Sequence, residues 1–69
     1  DIEILFNEQK SSKVKVSWRS NSKFDVSKLA VKFNGGGHPP AAGAEIDGNL
    51  ESVMPLVIGE TKKYMKGII

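Results

Sequence analysis

The segment Gly35-Gly36-Gly37-His38-Pro39-Pro40 divides this chain into two parts that no regular helix can join. Three glycines in a row lose more backbone freedom on ordering than any other residues and offer no side chain to pack. The prolines that follow withhold N–H donors and clash with a preceding helical turn. Asn34 and Gly35 supply the left-handed conformation that closes a helix. The segment therefore reads as a loop, with short elements on either side.

At 69 residues there is room for one small domain, and a domain of this length hides only about 60% of the surface its unfolded chain exposes. With no cysteine and no cluster of His and acidic ligands, packing alone must hold it. The lack of cysteine suits a reducing cytoplasm, the expected location. No apolar run approaches the roughly 20 residues that span a bilayer, and no charged segment precedes an apolar one as in a signal peptide. The chain begins at Asp1 and passes directly into Ile2-Glu3-Ile4-Leu5-Phe6, which reads as a piece of a longer protein. A net charge of +2 is too small for a strong nonspecific field, so any phosphate must be met by a local site.

Residues 13–19 alternate, with Val14, Val16 and Trp18 on one side and Lys13, Lys15, Ser17 and Arg19 on the other, as in a half-buried strand. Residues 2–7 form a second strand, joined to it by the polar connection 7–12 as an antiparallel hairpin. After the polar turn Ser20-Asn21-Ser22-Lys23, Asp25 stands where an N-cap belongs and Phe24 is placed to staple onto Leu29. Val26, Leu29, Ala30 and Phe33 then recur at helical spacing, giving a helix over about residues 26–33.

Small side chains over residues 41–46, ending at Asp47-Gly48, suggest a third strand crowded against another backbone. A last helix runs to about Lys66 with Val53, Leu56, Val57, Thr61 and Tyr64 on one face. It starts at Asn49 or Ser52. The earlier start is preferred, and it places Pro55 inside the helix, where it should bend it. The expected fold is thus a small single α+β domain, with a short mixed or antiparallel sheet and two helices packed on it in the order β-β-α-(GGGH loop)-β-α.

Bare glycine backbone lets N–H groups approach a ligand, and successive amides in a turn form a concave nest for anions, to which His38 can add a hydrogen bond or a charge. The same residues also suit a plain connecting loop with an exposed imidazole, and spacing does not choose between the two. Arg19 offers a planar fork for phosphate oxygens, on what is otherwise a solvated sheet face. Trp18 falls on the apolar side and reads as core. Lys62, Lys63 and Lys66 complement the helix dipole as a solvated helix end and are left out of the site. No pair or cluster of the eight carboxylates has metal-ligand spacing, so the chain by itself is expected to be inactive.

The combination Lys15-Val16-Ser17-Trp18-Arg19-Ser20, Asp25-Val26-Ser27-Lys28-Leu29-Ala30, and Gly35-Gly36-Gly37-His38 followed by Ala41-Ala42-Gly43 resembles the DHH-associated C-terminal domain. The resemblance runs from about Lys13 to Tyr64, and the pairing of Ser-x-Arg-Ser with GGGHxxAAG makes it specific. It implies that residues 1–69 are the small substrate-binding lobe of a two-domain phosphoesterase. The larger N-terminal DHH domain of the same chain would carry the metal ions, usually manganese, and no cofactor is expected in this lobe.

The pattern is most similar to the oligoribonuclease and 3′-phosphoadenosine-5′-phosphate phosphatase branch, implying short RNA or a nucleotide phosphate as substrate. Cyclic dinucleotide phosphodiesterases and RecJ-type single-strand DNA exonucleases share similar motifs, and a non-enzymatic interaction module is the alternative of a different kind. By resemblance, Arg19 and Ser20 would hold a substrate phosphate or terminal nucleotide. Gly35, Gly36 and Gly37 would line the cleft through their backbone, and His38 would reach toward the scissile phosphate during attack by a metal-bound hydroxide. Asn34 and Pro39-Pro40 depart from the usual pattern, so base preference does not carry over. Intact relatives are often homodimers through the larger lobe, and Ile68-Ile69 adds an apolar end to this one.

Overall fold

The computed structural model describes residues 1–21 and 23–68, with the side chain of residue 68 excepted. Ser22 of the expected polar turn and the apolar end at Ile68-Ile69 lie outside the described residues in that sense. The elements are β1 (Ile2–Gln9), β2 (Lys13–Ser20), α1 (Ser27–Lys32), β3 (Gly36–His38), β4 (Ala41–Asp47) and α2 (Leu50–Ile68). They form a four-stranded antiparallel sheet in the order β1-β2-β4-β3, with both helices on one face.

The alternation of β2 decides which face that is. Val14, Val16 and Trp18 are fully buried and pack with Val26, Leu29 and Ala30 from α1, Ala44 from β4, and Val53 and Val57 from α2. Ile4 and Phe6 lie opposite Trp18 and Val16 on β1 and cover the edge of this core. Trp18 is the core residue its position suggested. Its ring stacks on Phe33 at a centroid separation of 5.8 Å, and its Nε1–H donates to the Thr61 hydroxyl at 3.2 Å. Thr61 in turn donates to the Val57 carbonyl at 2.8 Å, so a buried indole N–H and a buried hydroxyl satisfy each other.

Local signals set the helix ends. The N-cap of α1 is Val26, without a side-chain cap, rather than Asp25, and the helix is shorter than the expected 26–33. From one position earlier the Asp25 carboxylate accepts the Ser27 N–H at 3.0 Å and the Ser27 hydroxyl, satisfying a first-turn donor. The buried Phe24 ring meets Tyr64 of α2 at a centroid separation of 6.2 Å. At the other end of α1, Asn34 is left-handed (φ 63°). The Asn34 N–H bonds to the Val31 carbonyl and the Gly35 N–H to the Ala30 carbonyl, the paired closure of a Schellman motif.

For α2 the earlier start holds. Asn49 Oδ1 accepts the Ser52 N–H at 2.9 Å, and Glu8 reaches from β1 to accept the Leu50 N–H at 3.1 Å. Pro55 therefore lies inside the helix and withholds the donor that the Glu51 carbonyl would otherwise receive. Leu56 departs from the expected face. The buried stripe is Val53, Val57, Thr61, while Leu56, roughly 100° away from Val57, is 50% exposed.

The stretch expected as a loop is a strand. Gly36–His38 pairs with β4 in the register Gly36↔Gly43, Gly37↔Ala42, His38↔Ala41, leaving Pro39-Pro40 as a two-residue connection. Proline has only an acceptor to offer, and both are used: the Pro39 carbonyl accepts the Val26 N–H at 3.0 Å and the Pro40 carbonyl the Ser20 N–H at 2.9 Å. This turn ties the end of β2 and the start of α1 to the β3–β4 hairpin. Among the described residues no helix is long and apolar enough to cross a membrane.

Candidate functional site

With both helices on one face, the other face of the sheet is bare, and the strand register determines what it presents. One cross-strand row reads Glu3, Arg19, Ala41, His38, and the next reads Leu5, Ser17, Gly43, Gly36. Residues directly opposite in an antiparallel sheet share a face, so Arg19 and His38 stand on the open side with the methyl of Ala41 between them. Both are exposed. Among the described residues neither side chain has an ion pair or hydrogen-bond partner, and Arg19 forms no ion pair with Glu3 across the strand.

Two adjoining depressions meet at Arg19 and Ala41. One, of about 280 Å3, lies on the open face and is lined by Ser17, Arg19, Gly36, Gly37, Ala41 and Gly43, with an edge of Trp18 and Ala42. The other, of about 610 Å3, lies beyond the sheet end among Asp1, Glu3, Arg19, Ser20, Asn21 and Pro40. Ser20 follows Arg19 but lies opposite Ile2, on the helix side of the sheet. It joins Arg19 only at the end depression, and its N–H is held by Pro40.

The three glycines do not share one reason to be glycine. A Cβ on Gly35 would stand 2.1 Å from the Gly43 carbonyl oxygen, and one on Gly37, where φ is +150°, would stand 2.5 Å from the Ala42 Cα. The close passage of β3 over β4 forbids side chains at both. A Cβ on Gly36 would meet nothing within 4 Å, so nothing inside the domain requires a bare backbone there.

Nor do these residues form the amide nest, one of the two readings of the glycine segment. The Gly35 amide is spent on the Ala30 carbonyl, and in the extended strand that follows, successive N–H groups point in opposite directions. What β3 offers instead is an edge, with alternate backbone groups turned away from β4.

Of the residues singled out in the sequence, Arg19, Gly36 and His38 come together on the open face, while Gly37, in the row of Ala42 and Trp18, borders the face depression only through its backbone. Ser20 borders it at the sheet end, and Gly35 lies behind it in the helix closure. Sequence reasoning missed Ala41, whose signal was its place on the same side of β4 as Gly43. It also missed the acceptor role of Pro39 and Pro40. Lys62, Lys63 and Lys66 lie on α2 away from this face, and Lys63 is engaged by Glu60 at 3.6 Å.

Among the described residues no three His, Cys, Asp or Glu side chains stand close enough to hold a metal ion. The donor set of this face, a guanidinium, an imidazole, a hydroxyl and backbone amides, suits an anion instead. No curated protein matches the sequence closely enough to be called a relative. A family model described as the DHHA1 domain matches residues 1–67. That match covers the whole sheet, α1 and all but the last residue of α2, so the chain belongs to the DHHA1 domain family, the domain associated with DHH-family phosphoesterases.

Proposed function

We propose that this domain is the substrate-holding lobe of a metal-dependent phosphoesterase acting on short oligoribonucleotides or 3′-phosphoadenosine-5′-phosphate, with a DHH domain on the same chain and the cytoplasm as its location. The observation that carries the reading is the row Arg19, Ala41, His38 on an uncovered sheet face, beside a glycine at position 36 that no neighbour requires.

Arg19 supplies a planar pair of donors to non-bridging phosphate oxygens. His38, two strands away, approaches the same anion from the other side of the Ala41 methyl. Gly36 lets the sugar-phosphate come down onto the backbone, and Ser17 offers a hydroxyl on the floor. The hydrolytic chemistry, with its manganese ions, falls to the DHH domain. This lobe contributes orientation and the exclusion of bulk water as it closes on the substrate. One charge-assisted contact contributes about 1.5–3 kcal/mol, so the lobe alone binds weakly, on the order of millimolar.

The test is kinetic, in the intact two-domain protein, with a diribonucleotide, 3′-phosphoadenosine-5′-phosphate, a cyclic dinucleotide and a short DNA as substrates. Arg19→Ala is expected to lower kcat/KM on the preferred substrate by about tenfold or more, and Lys10→Ala, on the β1–β2 turn, to leave it unchanged. Equal effects of the two substitutions would refute the site. A preference for the cyclic dinucleotide or DNA would keep the site and replace the substrate.

A further inference from the structure

The outward face of α2 carries a second surface that the phosphate site does not use. Gly59, Lys62, Lys63 and Lys66 are spaced i, i+3, i+4, i+7 and share one side of the helix, opposite the buried stripe of Val53, Val57 and Thr61. Together with Met65 they line a groove of about 350 Å3. Its lining is mostly apolar, supplied by the methylene stems of the lysines and the Met65 thioether.

The helix dipole accounts for Lys66 in the last turn, but not for the rest. A glycine inside an exposed helix costs about 1 kcal/mol relative to alanine, and a Cβ at position 59 would meet nothing within 4 Å. No internal contact explains that cost. Glu60 engages Lys63 and Lys32, while among the described residues Lys62 and Lys66 have no ion-pair partner.

We propose that this groove docks an acidic amphipathic helix of a protein partner, crossing α2 at Gly59. The missing side chain lets the partner's backbone approach. The apolar walls receive its Leu or Met side chains, and Lys62 and Lys66 meet its carboxylates. A nucleic-acid backbone would use the lysines but has no need of the apolar walls or the glycine, and for that reason the protein occupant is preferred.

The probe is a synthetic helical peptide of about 18 residues, built from Leu, Glu and Ala with Leu on one face and Glu flanking it. It is titrated into the isotopically labelled 69-residue chain and followed by amide shifts. Shifts confined to residues 56–66 are expected, weakened about tenfold by the double substitution Lys62→Glu, Lys66→Glu. Gly59→Gln should weaken binding comparably while leaving Tm unchanged or higher, since it fills the groove and improves helix propensity. The proposal is overturned if those amides do not move at millimolar peptide, if Gly59→Gln lowers Tm, or if single-stranded RNA moves the same amides more strongly than the peptide does.

Discussion

Arg19 and His38 lie two strands apart on the same face of the sheet, each directly opposite Ala41. Two antiparallel strand spacings separate their Cα atoms by about 10 Å, and the small methyl between them leaves the space above it open. Pro40 secures this relation. Its carbonyl holds the Ser20 N–H, so the end of the strand bearing Arg19 is fastened to the turn that follows His38.

The glycines separate structural need from functional need. Gly35→Ala and Gly37→Ala should each destabilise the domain by about 1–3 kcal/mol, because the new methyl meets β4 backbone. Gly36→Ala should leave stability within about 0.5 kcal/mol while weakening nucleotide binding. Chemical denaturation of the three variants checks the first statement and ligand titration of Gly36→Ala the second. A strongly destabilised Gly36→Ala would show that position 36 is glycine for reasons of packing.

Thr61 is expected to matter through its oxygen. Thr61→Val keeps the shape but leaves the buried Trp18 Nε1–H without its acceptor, at a cost of about 1–3 kcal/mol. Thr61→Ser, which keeps the hydroxyl, should cost less. Thermal unfolding resolves the difference, since 1 kcal/mol moves the Tm of a domain this small by about 4–8 °C. Equal Tm values for the two variants would mean that the indole finds another partner.

Much of this arrangement was legible in the residues. The alternation of Val14, Val16 and Trp18 against Lys15, Ser17 and Arg19 assigned both faces of β2, and Asn49 announced the start of α2, while Asp25 pointed to that of α1 one residue early. β3 was not legible, because a strand of two glycines and a histidine carries neither β-branched side chains nor a period. It exists because β4 offers an edge to pair with and small residues to lie against, and pairing partners distant in sequence leave no local trace. For the same reason the shared partner Ala41, the capping of Leu50 by Glu8 and the bond between the Tyr64 hydroxyl and Asp25 could not be read in advance. Leu56 was misplaced because a one-residue step on a helix turns the side chain roughly 100°.

Acid should act on the start of α1. The Ser27 hydroxyl, hydrogen-bonded to the Asp25 carboxylate, holds that carboxyl below its ordinary value of 3.8 against an opposing desolvation, with help from the Ser27 N–H and the nearby Lys28 charge. A depressed carboxyl stabilises the fold fully above its unfolded value and loses that contribution as pH falls through the folded one. Part of the drop in Tm below about pH 4 should therefore disappear in Asp25→Asn. Parallel Tm curves for the two proteins down to that range would show that the interaction contributes nothing to folding.

The most direct test of the phosphate site is an NMR titration of the labelled chain with a diribonucleotide at millimolar concentration, repeated on Arg19→Ala. The account predicts shifts in the amides of Gly36, Gly37, His38 and Ala41 and in the Arg19 side chain, with those of the amides largely abolished by the substitution. Shifts centred elsewhere, or a response at these amides that Arg19→Ala leaves intact, would contradict it.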